Sequence, residues 1–322
     1  MEEVKYSICV SALKKTYKEK EVLNNVTFAV PKGIIYTLLG SNGAGKTTTI
    51  RILTTQIRAD KGTAQIEGYN VFENPQKIHE VISLTGQFSA VDECLTGKEN
   101  LIIMGKLRHL SNPEETADKL LEYFELTKAS NRIVSTYSGG MKRKLDIAMS
   151  LIGNPKVIFL DEPTTGLDPQ SRHSMWNIIR DLKQSGVTIF LTTQYLEEAE
   201  QLADMIGILD NGKIIAEGTP EELKAYLPQG AVQFAFENSE TFERAKLLMK
   251  DYKVSTEPEE YKIVVFTDGK SDTLSKIFYS LYTNEISVHN FTELVPTLED
   301  VFLSMIEESE EKSNEIKDEK IS

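Results

Sequence analysis

The 322-residue sequence holds two cysteines, one tryptophan and four histidines. Cys9 and Cys94 are too few for a disulfide framework and fit a reducing compartment. No segment approaches the roughly 18 consecutive apolar residues of a membrane span. The best runs, Ile34-Ile35-Tyr36-Thr37-Leu38-Leu39 and Val157-Ile158-Phe159-Leu160, are strand-sized. The beginning, Met1-Glu2-Glu3-Val4-Lys5, is acidic and has no signal-peptide apolar region. The expectation is a cytoplasmic chain that reaches a membrane only by docking on another protein. A basic surplus is missing too: 36 Lys and Arg stand against 49 Asp and Glu, a net charge of −13. That balance argues against nucleic acid or an anionic bilayer as the main partner. The three basic residues Lys142-Arg143-Lys144 read as a solvated helix face, and Trp176 as helix packing.

What is present is ordinary globular composition, with 40% hydrophobic and 26% charged residues, and length for two domains. Residues 4–30 read as short strands around a turn. Ile34 to Leu39 is a continuous apolar run, as in a strand buried on both faces. Residues from about 89 to 152 lose β signal and read as a mostly helical insertion. Strand-like runs return at 157–160, 187–191 and 206–209, alternating with helices, so the fold class is α/β with a parallel sheet. Composition shifts near Tyr226-Leu227-Pro228-Gln229-Gly230, a linker. Beyond it, 231–306 reads as a small α+β unit of the β-α-β-β-α-β, ferredoxin-like kind, with a strand expected at 286–291. Residues 307–322 are charged and lack an apolar period, and read as a disordered acidic tail.

Gly40-Ser41-Asn42-Gly43-Ala44-Gly45-Lys46-Thr47 matches G-x-x-x-x-G-K-[ST] between a buried strand and a helical run. Glycines let backbone N–H groups point at phosphate oxygens, and the helix N-terminus adds positive potential. Lys46 suits the β- and γ-phosphates and the Thr47 hydroxyl a Mg²⁺ ion, with Thr48 beside them. Val157-Ile158-Phe159-Leu160-Asp161 is a strand ending in a carboxylate, placed to support the metal. Glu162 follows at once and can polarise an attacking water. Ser138-Gly139-Gly140 before a helical run offers a second anion site.

In this order and spacing the motifs resemble the ATP-binding subunits of ABC transporters, P-loop ATPases with a helical subdomain. The resemblance covers residues 4–226. It implies ATP and Mg²⁺ as cofactors, and catalysis through Lys46, Glu162 and Gln194. Tyr17 resembles the residue that stacks on adenine. Gln87 resembles the glutamine that touches Mg²⁺ and the attacking water, and makes the metal set Thr47, Gln87 and Asp161. Thr165-Gly166-Leu167-Asp168 resembles the D-loop, and Ser138-Gly139-Gly140-Met141 the signature that caps the γ-phosphate of a facing subunit. The implied partners are an ABC-2-type membrane permease and a second copy of the chain, or a paralogue, in a head-to-tail ATP sandwich, with no nucleic acid. The implied location is the inner face of the membrane, peripherally through the permease.

One position departs from the pattern. The family usually has a histidine where Leu191-Thr192-Thr193-Gln194-Tyr195 puts Gln194, and glutamine cannot become cationic. That substitution, with Ser83-Leu84-Thr85-Gly86-Gln87-Phe88 and Pro296-Thr297-Leu298-Glu299-Asp300, resembles the daunorubicin-resistance type of drug-export ATPases. It extends the resemblance to about residue 306. Lipid, polysaccharide or peptide export is the alternative cargo reading. A soluble ABC ATPase acting on DNA or ribosomes, and an ATP-binding sensor with negligible hydrolysis suggested by Gln194, are further alternatives.

Overall fold

The computed structural model describes residues 6–86, 90–227, 230–294 and 296–306. The chain divides into two units, residues 1–220 and 221–322.

In the first unit, β1 (Tyr6–Tyr17) and β2 (Lys20–Pro31) are twelve-residue antiparallel partners, longer than the short strands the sequence suggests. Alternation explains their placement: Ile8, Val10, Leu13, Leu23, Val26, Phe28 and Val30 are buried while most residues between them face outward. β3 (Ile35–Leu39) is buried at all five positions and leads into α1 (Lys46–Leu53). β4 (Lys61–Ile66) and β5 (Tyr69–Asn70) complete the first sheet in the order β2-β1-β4-β5.

α2 (Pro75–Val81) precedes β6 (Ile82–Thr85). Three helices follow: α3 (Gly97–Leu107), α4 (Pro113–Tyr123) and α5 (Gly139–Ser150). A reciprocal capping box between Thr96 and Glu99 fixes the start of α3. Then come β7 (Val157–Asp161), α6 (Pro169–Gln184), β8 (Thr188–Thr193), α7 (Leu196–Leu202), β9 (Met205–Asp210) and β10 (Lys213–Gly218). They form a six-stranded sheet in the order β10-β9-β3-β8-β7-β6, parallel except for β10.

Two apolar cores cover this sheet. One gathers β1, β2 and α1 around Tyr36, Phe159 and Phe190. Phe28, Tyr36 and Phe190 lie with ring centroids 5.3–5.6 Å apart. Each such pair contributes about 0.5–1.5 kcal/mol beyond area burial. The other core holds Leu121, Phe124, Leu145, Ile147, Trp176 and Ile179, so the helices from α3 to α6 share one apolar mass. Trp176 is buried there, as expected of a packing residue.

α8 (Pro220–Lys224) spans the division between the units. The second unit runs β11 (Ala231–Ala235), α9 (Ser239–Leu248), β12 (Lys253–Glu257), β13 (Lys262–Phe266), α10 (Ser271–Thr283), β14 (Asn290–Leu294), then a helix at 298–306. Its antiparallel sheet has the order β12-β13-β11-β14, with a core around Phe234, Phe242, Ile263 and Ile277. The strand expected at 286–291 starts later, at Asn290. Ile286 instead closes α10: its N–H donates to Leu281 C=O at 3.0 Å, after Glu285 turns the chain at φ 51°. The expected tail, 307–322, lies outside the described residues.

Candidate active site

The parallel strands β3, β7 and β8 end on one edge of the sheet, because Leu39 pairs with Thr193 and Asp161 with Thr192. Side chains and turns leaving those ends therefore converge, as at the carboxyl edge of open α/β sheets. Gly40 N–H donates to Thr193 C=O at 3.3 Å, which ties the turn after β3 to the end of β8. The turn closes on itself where Ala44 N–H donates to Ser41 C=O at 3.2 Å. Ser41, Asn42 and Gly43 are exposed along it, and Thr48 is half-buried one turn into α1.

Gly45 is fixed by two constraints. Its φ is +117°, and a Cβ there would lie 2.6 Å from Leu23 Cδ2 and 2.9 Å from Val22 O. As N-cap of α1 it brings no side chain to the helix N-terminus. The first N–H groups of α1 are thus left to a ligand, and an anion is what they favour.

Lys46 is buried, and its Nζ donates to Gly40 C=O at 2.8 Å and Ser41 C=O at 3.0 Å. Burial lowers its pKa, while the carboxylates of Glu162 and Asp161 oppose that shift. Nζ lies 3.7 Å from Glu162 Oε1. Thr47 Oγ1 is 3.4 Å from Asp161 Oδ1, and the same carboxylate oxygen accepts Thr192 Oγ1 at 2.6 Å. A hydroxyl and a carboxylate this close are hard oxygen donors of the sort Mg²⁺ takes.

Glu162 leaves β7 in the left-handed region, φ 48°, which turns its side chain off the strand line. Thr192 holds that backbone, accepting Glu162 N–H at its carbonyl (3.1 Å) and its hydroxyl (3.2 Å). Thr165 Oγ1 donates to Glu162 Oε2 at 3.2 Å, which brings the D-loop stretch to the carboxylate. Gln194 follows Thr193 directly and is half-buried. Lys46, Thr47, Asp161, Glu162 and the start of the Gln194 turn are therefore one cluster.

Other expected site residues have their own local contacts. Ser138 caps α5, its hydroxyl accepting Met141 N–H at 3.3 Å. Gly140 lies so close to α6 that a Cβ would be 2.7 Å from Ser171 Oγ. Ser171 in turn donates through N–H and Oγ to Asp168, at 2.9 and 2.6 Å, and these bonds lower the Asp168 pKa. Among the described residues no hydrogen bond or ion pair joins Ser138, Gly139 or Gly140 to Lys46. Tyr17 is exposed at the end of β1, with Lys15 Nζ 5.5 Å from its ring centre. Gln87 lies outside the described residues.

The basic triplet departs from the solvated face expected of it. Lys142 and Lys144 do pair outward, with Glu93 at 2.6 Å and Glu125 at 3.0 Å. Arg143 turns inward, is buried, and donates to Pro163 C=O, Gly86 C=O and Asp161 C=O at 2.9, 2.7 and 3.2 Å. The signal that could have found it is helical phase: Arg143 falls on the buried face of α5 with Asp146, Ile147 and Ser150.

Comparison with known proteins agrees with this arrangement. The profile of the ABC transporter family matches residues 23–165. The daunorubicin/doxorubicin resistance ATP-binding protein DrrA of Streptomyces peucetius is 40% identical over 311 residues, covering 93% of this chain and 92% of that protein. The Nod factor export ATP-binding protein I of Ralstonia nicotianae is 43% identical over 220 residues, 67% of this chain and 68% of its own. A solved ATP-binding cassette of an ABC transporter in its ADP conformation superposes with a TM-score of 0.62 at 29% identity. That match covers 68% of this chain and 92% of the solved one. With the phosphate cradle, the strand-end carboxylates and a relative matched along nearly its whole length, the chain belongs to the ABC transporter family, as one of its ATP-binding, ATP-hydrolysing subunits.

Proposed function

We propose that this subunit powers efflux of drugs or antibiotics through a separately encoded ABC-2-type membrane permease, docked peripherally on its inner face. The single observation behind this is the 40% identity to DrrA across 92% of that protein, which includes the second unit and not only the cassette. No helix among the described residues is long and apolar enough to cross a membrane; in this reading the path belongs to a second chain.

In this reading the backbone N–H groups of residues 40–47 and the Lys46 ammonium hold the phosphates, and Tyr17 stacks on the base. Thr47, Asp161 and Gln87 would hold Mg²⁺, which neutralises charge developing on the phosphates. Glu162, held by Thr192, orients and deprotonates water. Gln194 donates a hydrogen bond near the γ-phosphate. Ser138, Gly139 and Gly140, not bonded to Lys46 among the described residues, serve the nucleotide of a second copy packed head to tail, near Asp168. The 43% identity to a Nod factor export protein favours export of a cargo other than a drug as a second reading.

The test is capture from source-cell membranes with tagged Glu162→Gln and MgATP, read by mass spectrometry. A polytopic membrane protein lacking its own ATPase cassette is the expected partner. Ribosomal proteins or nucleic acid with no membrane partner would overturn the export reading.

A further inference from the structure

One turn of α5 carries Arg143 and Asp146, both buried, with Nη1 3.4 Å from Oδ2. Asp146 Oδ1 accepts Ala90 N–H at 3.2 Å, and Arg143 Nη1 donates to Gly86 C=O at 2.7 Å. Those two backbone groups bracket the stretch that contains Gln87. The other face of the guanidinium does the same for the catalytic strand end. Nη2 donates to Asp161 C=O at 3.2 Å and Nε to Pro163 C=O at 2.9 Å, the carbonyls on either side of Glu162. The pair starts five residues after Ser138, on the helix that Ser138 caps.

Burying an ion pair is a poor route to stability, since apolar residues of like volume often do as well. What a guanidinium adds is a rigid fork of five directed donors. Here three of its bonds go to backbone carbonyls that flank the reacting groups. We propose that the Arg143–Asp146 ion pair is a positioning device that sets Glu162 relative to α5, through the carbonyls of Asp161 and Pro163, so that turnover depends on the pair as one unit. This rests on the reading of Glu162 as the residue that activates water. The linkage joins the cap of one anion site, through a helix, to the carboxylate of the other.

The test compares Arg143→Gln, Asp146→Asn, the double variant and Arg143→Lys in the full chain. It reads kcat, KM for MgATP and the thermal midpoint of each. Each of the first two lowers kcat about tenfold or more with KM held within about threefold, because small misplacement of a base costs rate before affinity. The double variant falls no further than the worse single one. Arg143→Lys keeps more kcat than Arg143→Gln, since it retains the charge and one donor direction.

Wild-type kcat in folded variants overturns the proposal. So do losses that track the thermal midpoint, or two substitutions whose effects multiply. If Arg143→Gln does not fold, Asp146→Asn and Arg143→Lys, close in size and shape to the originals, decide it alone. A Glu162→Gln control that turns over like wild type removes the parent reading and this one with it. A silent control beside active pair variants removes only this one.

Discussion

Lys46 Nζ stands 3.7 Å from Glu162 Oε1, so the group proposed to bind phosphate and the group proposed to activate water share one charge contact. A nucleotide has to divide that pair, drawing the ammonium to phosphate and freeing the carboxylate for water. Glu162→Gln leaves the cradle, Thr47 and Asp161 in place and removes the proposed base together with its charge contact to Lys46. Nucleotide affinity is expected within a few-fold of wild type and kcat down by about 10²–10⁴. Lys46→Ala has the opposite signature, an affinity loss of about tenfold or more, because a buried charge-assisted contact is removed. Equilibrium binding of a fluorescent ATP analogue beside steady-state phosphate release separates the two. Turnover near wild type in Glu162→Gln would take that residue out of the role.

Gly45 fixes the cradle sterically, and its replacement is a sharp test of backbone geometry. Gly45→Ala places a methyl at φ +117° and within 3 Å of Leu23 Cδ2 and Val22 O. The backbone strain alone costs about 1–3 kcal/mol. The strand β2 has to give way as well, so α1 and the loop move together. A thermal midpoint several degrees lower, with nucleotide affinity lost, is expected by differential scanning fluorimetry with and without MgATP. An unshifted midpoint would mean the loop relaxes freely.

How much of this was legible follows from what each signal depends on. Gly40–Thr47 and Val157–Asp161 are local: a glycine turn, a buried strand and a strand-end carboxylate are all written in consecutive residues. β4, β5 and β10 carry no such signature. Lys61–Ile66 is exposed at four of its six positions and becomes a strand only because β1 offers an edge. The Arg143 clasp is a tertiary fact. Its three carbonyl partners lie 18, 20 and 57 residues away, and the run Lys-Arg-Lys reads as solvated unless helical phase is tracked. Ile286 shows the same limit, since a β-branched residue scores as strand until its N–H is seen closing α10.

Gln194 stands at the end of β8, where Thr193 C=O accepts Gly40 N–H, so its side chain leaves from the rim of the cradle. An amide can donate to a phosphate oxygen at any pH but does not titrate. The pH profile of kcat should therefore lack a limb near neutrality from this position. Gln194→His should introduce one, centred about pH 6.5 and raised by bound phosphate. Gln194→Ala should lower kcat about tenfold with affinity retained. Profiles that superpose for all three would place Gln194 outside the reaction.

Glu198 gives a stability test that involves no catalysis. It is fully buried on α7; Trp176 Nε1 donates to its Oε1 at 3.3 Å, and Oε2 has no donor in hydrogen-bonding geometry. Burial raises its pKa, and the facing Thr193, Thr164, Trp176 and Arg172 groups oppose the shift without cancelling it. The folded carboxyl therefore holds its proton to higher pH than the unfolded one. Between the unfolded value, about 4.3, and the raised folded value, the unfolded chain binds fewer protons, so stability falls as pH rises through that window. Glu198→Gln removes the titration and keeps the shape. Its thermal midpoint relative to wild type should rise as pH increases from 5 to 8. A difference that stays flat across that range, or that shrinks, would mean the carboxyl is ionised in the folded chain and paired there.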